Sequence, residues 1–383
     1  MPLEVAPPVA IATAAATVTK SPAPALSRPV PSDASTSTCS VLRGPIALPV
    51  RAPISLAMRG ETLDVALNED GHGRIFSFPI GVFPPSPFAP RESMGAILAA
   101  STVPCAIAGD RLFCPDRSGA VHRSTRGREE GRVVASSRSG SRISAALLAD
   151  SHTALAYLAS RKTTEGWVSE AWLAIDDESP SRISDDGSGA TAVVLVSRGP
   201  EVIALSVDAR MALTAMHARV VTYDKRLNVG DDTVVFVGGP GDRRTAAALV
   251  APPDGPAWSL LPIAKDVGSF GLAVVRLDTP LRVDEPVTWS MYPNGLDPAP
   301  VAVSSGKHRM WATRVRPEAA DPASRHVLEL GEVDRLGGAF SPGQILPTTG
   351  NPADATLVVD THDAIWLGWS DVGGGWLEEL RCK

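Results

Sequence analysis

The sequence predicts an all-β protein, a β-propeller of about seven blades, and three observations carry that expectation. From Cys39 onward, short β-branched runs such as "TAVVLVS", "EVIALSV", "TVVFVGG" and "TLVVD" alternate with Gly, Pro, Asp and Ser. Between them no stretch carries the helical periodicity, roughly 10–15 residues long, that a parallel α/β fold needs for its crossovers. Units such as "GETLDVALNEDGHGRIFSFPIG", "GDRLFCPDRSGAVHRSTRG" and "THDAIWLGWSDVGGGWLEEL" recur at a spacing of roughly 40–50 residues, the repeat of a propeller blade. Residues 39–383 then form one domain of about seven units. Six blades with longer loops, or a pair of two-sheet sandwiches, are the alternatives.

Residues 1–38 contain "SPAPALSRPVPSDASTST" and almost no large apolar side chains. Such a stretch can bury little surface and is expected to be a disordered tail or linker, protease-sensitive and dispensable for folding. It does not resemble a signal peptide: it has no basic n-region, "AIATAAATV" is only weakly apolar, and Thr-Ser-Thr precedes Cys39. No run approaches the ~18 apolar residues of a membrane-spanning helix.

The four cysteines are placed as two pairs. A propeller joins its first and last strands in one blade, which brings Cys39 beside Cys382. In "CAIAGDRLFC", a two-residue loop at Gly109-Asp110 aligns Ala108 with Arg111, Ile107 with Leu112, Ala106 with Phe113 and Cys105 with Cys114. That register makes the cysteines a non-hydrogen-bonded pair, with Cα atoms at ~4.5 Å, within disulfide range. Two bridges imply an oxidising compartment, so the protein is expected to be exported; separate buried, reduced thiols are the alternative.

With 36 basic and 42 acidic residues, the chain has no general attraction for nucleic acid or anionic lipid. The seven histidines are scattered without ligand spacing, and "NEDGHG" and "SDDGSG" match hairpin turns better than a calcium loop, so neither metal nor cofactor is expected.

Several segments carry chemistry on paper. Residues 123–142 hold six arginines against two glutamates, a basic loop that could meet an acidic glycan or simply face solvent. "ALTAMHAR" and the later "FGLAVVRLDTPL" resemble segments of trypsin-like serine proteases. His217 takes the place of the general base, but Gly271 stands where the orienting Asp belongs and Leu336 where the nucleophile belongs. His217 is therefore expected to be a strand or turn residue and not a catalytic base. "TWSMYPNGLDPAP" gathers Trp289, Tyr292, Asn294 and Asp297 around a turn, with Trp311 following, and is the candidate binding surface. "SDVGGGW" resembles the Asp-box of sialidase-like propellers, short by one residue, and such boxes stabilise turns. No tyrosine of the three has the context of a sialidase nucleophile.

"FGLAVVRLDTPL", "YPNGLDPAPVA" and the terminal "LRC" give residues 39–383 a resemblance to the uncharacterised exported β-propellers of high-GC bacteria. That resemblance implies an exported propeller and no particular activity. The expected function is a non-enzymatic, monomeric module or scaffold that binds a protein or polysaccharide of the cell envelope. The alternative is a propeller-fold polysaccharide hydrolase or lyase whose acid and base come from separate blades.

Overall fold

The computed structural model describes residues 38–48, 53–81, 103–126, 131–148, 151–164, 166–210, 213–224, 226–238, 247–252, 254–266, 269–278, 281, 287–293, 301–307, 309–318, 324–333, 343–348, 350–371 and 374–383. The expected tail, up to residue 37, lies outside them. No α-helix occurs among the described residues, so none is long and apolar enough to cross a membrane.

After β1 (Cys39–Leu48), blade one holds β2 (Ile54–Arg59), β3 (Thr62–Glu69) and β4 (His72–Pro79). Blade two holds β5 (Ala106–Ala108), β6 (Arg111–Pro115), β7 (Ala120–Thr125) and β8 (Arg132–Ser136). Blade three is β9 (Ser144–Leu147), β10 (Thr153–Thr163), β11 (Gly166–Ile175) and β12 (Ser181–Arg182). Blade four runs β13 (Ala190–Arg198), β14 (Glu201–Arg210), β15 (Leu213–Tyr223), with β16 (Leu227–Val229) and β17 (Thr233–Gly238) both pairing β15. Blade five is β18 (Ala248–Val250), β19 (Ala257–Asp266), β20 (Ser269–Leu277) and β21 (Val287–Pro293). Blade six is β22 (Val301–Ser305), β23 (Met310–Pro317), β24 (His326–Val333) and β25 (Gln344–Leu346). Blade seven takes β26 (Asp354–Val359), β27 (Ile365–Ser370) and β28 (Gly375–Cys382), and β1 completes it.

The leading strands touch in the order β2, β5, β9, β13, β18, β22, β26 and back to β2, so the seven sheets close a ring. Period-2 alternation gives each middle strand two apolar faces, one for each neighbouring blade. On β14, Val202 and Ala204 pack with Leu173 of blade three, whereas Ile203 and Leu205 pack with Val275 of blade five.

Ring closure depends on blade seven, where no loop joins the third strand to the fourth. β1 pairs antiparallel with β28 from Cys39 opposite Cys382 to Leu48 opposite Gly375, and the Cys39–Cys382 disulfide stands in the place of the missing loop. Blade six adds a clamp. The Gln344 amide donates to the Cys39 carbonyl at 2.8 Å and accepts from the Cys39 N–H at 2.7 Å, as a neighbouring strand would. The pairing of β1 bulges between Arg43 and Ile46. Gly44 sits there at φ 109° with β28 so close that a Cβ would lie 2.9 Å from the Leu377 carbonyl oxygen.

The second bridge follows the expected register. Ala106, Ile107 and Ala108 pair with Phe113, Leu112 and Arg111 around Gly109 at φ 61°, and Cys105–Cys114 spans a Cα–Cα distance of 4.3 Å. A turn device recurs in blades two and seven. Asp116 accepts the Ala120 N–H at 2.9 Å and meets the His122 ring at 3.1 Å; Asp360 accepts the Ala364 N–H at 2.9 Å and the Trp366 indole N–H at 3.1 Å. The shared spacing, Asp followed by Ala at i+4 and a ring N–H at i+6, was visible in "DRSGAVH" and "DTHDAIW".

Candidate functional site

One end of the ring is marked by the first residues of the leading strands: Ile54, Ala106, Ser144, Ala190, Ala248, Val301 and Asp354. Asp354 alone among them carries a carboxyl side chain. Arg142, just before β9, pairs with it from blade three, a blade that is not a neighbour of blade seven. A glycosidic acid–base pair needs two carboxyl groups. Among these seven strand starts Asp354 is the carboxylate, and Arg142 contacts it.

A second concentration of charge lies between blades three and four. Glu170 on β11 is completely buried and receives Arg161 Nε at 3.1 Å and Nη2 at 2.9 Å, Arg182 Nη1 at 3.2 Å and the Gly187 N–H at 3.1 Å. The Arg161 hydrogen bonds, aided by the Gly187 N–H and outweighing the cost of burial, hold its carboxyl down to about 2. Asp186 draws on the same two arginines from the segment that leads into blade four.

His217 lies on β15, on the face that carries Val221 into the packing with blade three. Its Nδ1 is 2.7 Å from Asp232 Oδ2, and its Nε2 is 3.9 Å from Asp208 Oδ2. Arg219 lies 3.6 Å from Asp232 and 3.6 Å from Asp185, which is in the segment connecting blades three and four. The expectation that His217 has no orienting carboxylate is corrected: strand pairing in blade four delivers Asp232 and Asp208, where alignment to a protease motif pointed at Gly271. Leu336, at the nucleophile position, lies outside the described residues. The imidazole thus lies beside two carboxylates within a belt of charged groups linking two blades.

Above this belt the β10–β11 hairpin ends in an exposed aromatic. Trp167 is 72% exposed and stands opposite Lys162, also exposed. The Thr163 hydroxyl closes the tip by donating to the Gly166 carbonyl at 2.9 Å, and Gly166 adopts φ 131°, a region that needs glycine. Arg161, one residue before Lys162, is held by Glu170. The tip is therefore carried on an anchored strand pair.

The turn expected to bind lies largely outside the described residues. Trp289 and Tyr292 fall on β21 of blade five, and their side chains lie outside the described structure, as do Asn294 and Asp297 entirely. Trp311 is corrected from a surface group to a core group. It is 1% exposed on β23, packed with Leu328, Leu357 and Trp369 between blades six and seven. Four arginines of the basic segment are partnered: Arg123 and Arg132 meet Asp177, Arg126 meets Asp64 and Arg142 meets Asp354. In "SDVGGGW", Asp371 accepts the Gly374 N–H at 2.7 Å and the Trp376 indole N–H at 3.3 Å, a turn-stabilising role. Among the described residues no group of three or more His, Cys, Asp or Glu side chains could hold a metal ion.

No family model matches the chain, and no curated protein matches it. Among solved structures it is similar to YjhT, at 10% identity over 74% of this chain and 94% of that one, with a TM-score of 0.43. It is similar to a subtype N10 neuraminidase-like protein of A/little yellow-shouldered bat/Guatemala/060/2010, at 10% identity, 73% and 93% coverage and a TM-score of 0.46. For a mutant Aleuria aurantia lectin in complex with alpha-methyl-L-fucoside the values are 12%, 73%, 92% and 0.44. These likenesses assign this chain no ligand.

Proposed function

We propose that this protein is an exported, non-enzymatic, monomeric propeller that binds a glycan of the cell envelope through the rim between blades three and four. The observation that carries the reading is Trp167, a large indole left 72% exposed on an anchored hairpin tip. An indole stacks on the apolar face of a sugar ring, and the Lys162 side chain opposite it suits hydroxyl or acidic substituents of that ring. Export is supported by the cysteines, all four of which are bridged. The turn bearing Trp289, Tyr292, Asn294 and Asp297 is the second surface proposed for contact.

The test is an array of bacterial polysaccharides probed with the oxidised chain, followed by Trp167→Ala. The variant is expected to lose about tenfold or more in affinity, roughly 1.4 kcal/mol, with its unfolding midpoint unchanged. An array without signal, or binding indifferent to the substitution, overturns the glycan reading.

A polysaccharide hydrolase or lyase is the second reading, and one observation favours it: His217 held between Asp232 and Asp208. Release of reducing ends that disappears in His217→Ala would establish it. The binding reading expects no such release, and a His217→Ala variant that binds as before.

A further inference from the structure

We propose that the closing blade carries a pH-responsive latch, in which neutral Glu378 keeps blades six and seven packed and its ionisation loosens that contact. Glu378 on β28 is 1% exposed, and neither carboxyl oxygen meets a hydrogen-bond partner. Alternation puts it on the face of Trp376 and Leu380, which pack with Trp311, Val315 and Leu328 of blade six. Its register partner on β27 is Leu367. On the other side the β1 bulge covers it, so near that a Cβ at Gly44 would lie 2.9 Å from the Glu378 Cβ.

Among the described residues the charged groups around it are engaged elsewhere. Glu379 takes the opposite face of β28, where Arg43 meets it at 3.3 Å, and Arg381 shares that face at the exposed end of the strand. Asp371 holds its own turn and the Trp376 indole. In blade six, Glu329 alternates with the inward-packed Leu328 and Leu330 and is bound to Arg314 and Arg316. Glu378 is left with apolar neighbours, and burial pushes its carboxyl up to about 7.

The sign follows from linkage. A carboxyl whose folded-state value lies above the ordinary 4.5 adds stability that is fully present below 4.5 and is lost as pH rises through about 7. The latch is closed in mildly acidic surroundings and loosens toward about pH 8. The test is urea unfolding of the full oxidised chain, wild type and Glu378→Gln, from about pH 5 to about pH 8. The ratio of the two folding constants, variant over wild type, is expected to rise on the order of a hundredfold across that range. A ratio that stays constant overturns the proposal. A second measurement needs no variant: native-state hydrogen exchange in β1 and β28, compared with β10 and β11. Exchange in the closing pair should quicken with pH beyond the quickening in blade three, and equal behaviour of the two pairs overturns the latch.

Discussion

The double variant Cys39→Ser, Cys382→Ser is expected to lose about 6 kcal/mol of stability by the chain-entropy relation for so long a loop. The bridge joins residues 343 positions apart, so breaking it releases nearly the whole domain in the unfolded state. In the folded state it also removes the one covalent link between the third and fourth strands of blade seven. Its ladder to β28, the two Gln344 hydrogen bonds and the Arg43–Glu379 contact then still hold β1. Cys105–Cys114 provides the comparison. It spans only 9 positions of a hairpin that its own turn already closes, and the same chain-entropy relation gives about 3 kcal/mol or less for so short a loop. Urea unfolding of both serine double variants should rank them in that order. Equal losses would mean that the ring does not depend on its covalent closure.

Features set by local spacing were legible in the sequence. The propeller, the meeting of the chain ends and the Cys105–Cys114 register all follow from runs, turns and the period-2 geometry of a hairpin, and the strand pairing bears them out. The charged contacts were not legible. Arg142 and Asp354 are 212 positions apart, and His217 meets Asp232 only because β15 pairs two successive segments, β16 and β17. No spacing rule encodes a contact fixed by ring closure or by a split outer strand. Trp167 was hidden for another reason. In "GWVSEAWLAI" it alternates with Ser169, Ala171 and Leu173, a pattern that reads as a buried face. It is exposed because it sits beside the hairpin tip, at the start of a long strand pair whose other end supplies the buried residues.

Trp311 is the reverse case, and its truncation is the second large effect expected. Its proximity in sequence to the Trp289–Asp297 turn suggested a binding aromatic, but "MWATRV" already alternates Trp311, Thr313 and Val315 on one face of a strand. The indole fills the contact between blades six and seven against Leu328, Leu357 and Trp369. Trp311→Ala should therefore cost about 3–5 kcal/mol, the transfer energy of the lost ring plus the cavity left behind. The indole N–H has no hydrogen-bond partner, so no polar contact is lost with it, and Trp311→Phe, which keeps an aromatic ring in the cavity, should cost less than half as much. A surface aromatic behaves otherwise: its removal moves stability by no more than about 0.5 kcal/mol and weakens ligand binding instead. Unfolding midpoints and glycan binding measured together on Trp311→Ala and Trp167→Ala separate the two roles. The first variant should lose stability and, while folded, keep its affinity; the second should do the opposite. A Trp311→Ala protein as stable as the wild type would place that indole at the surface and undo the packing between blades six and seven described above.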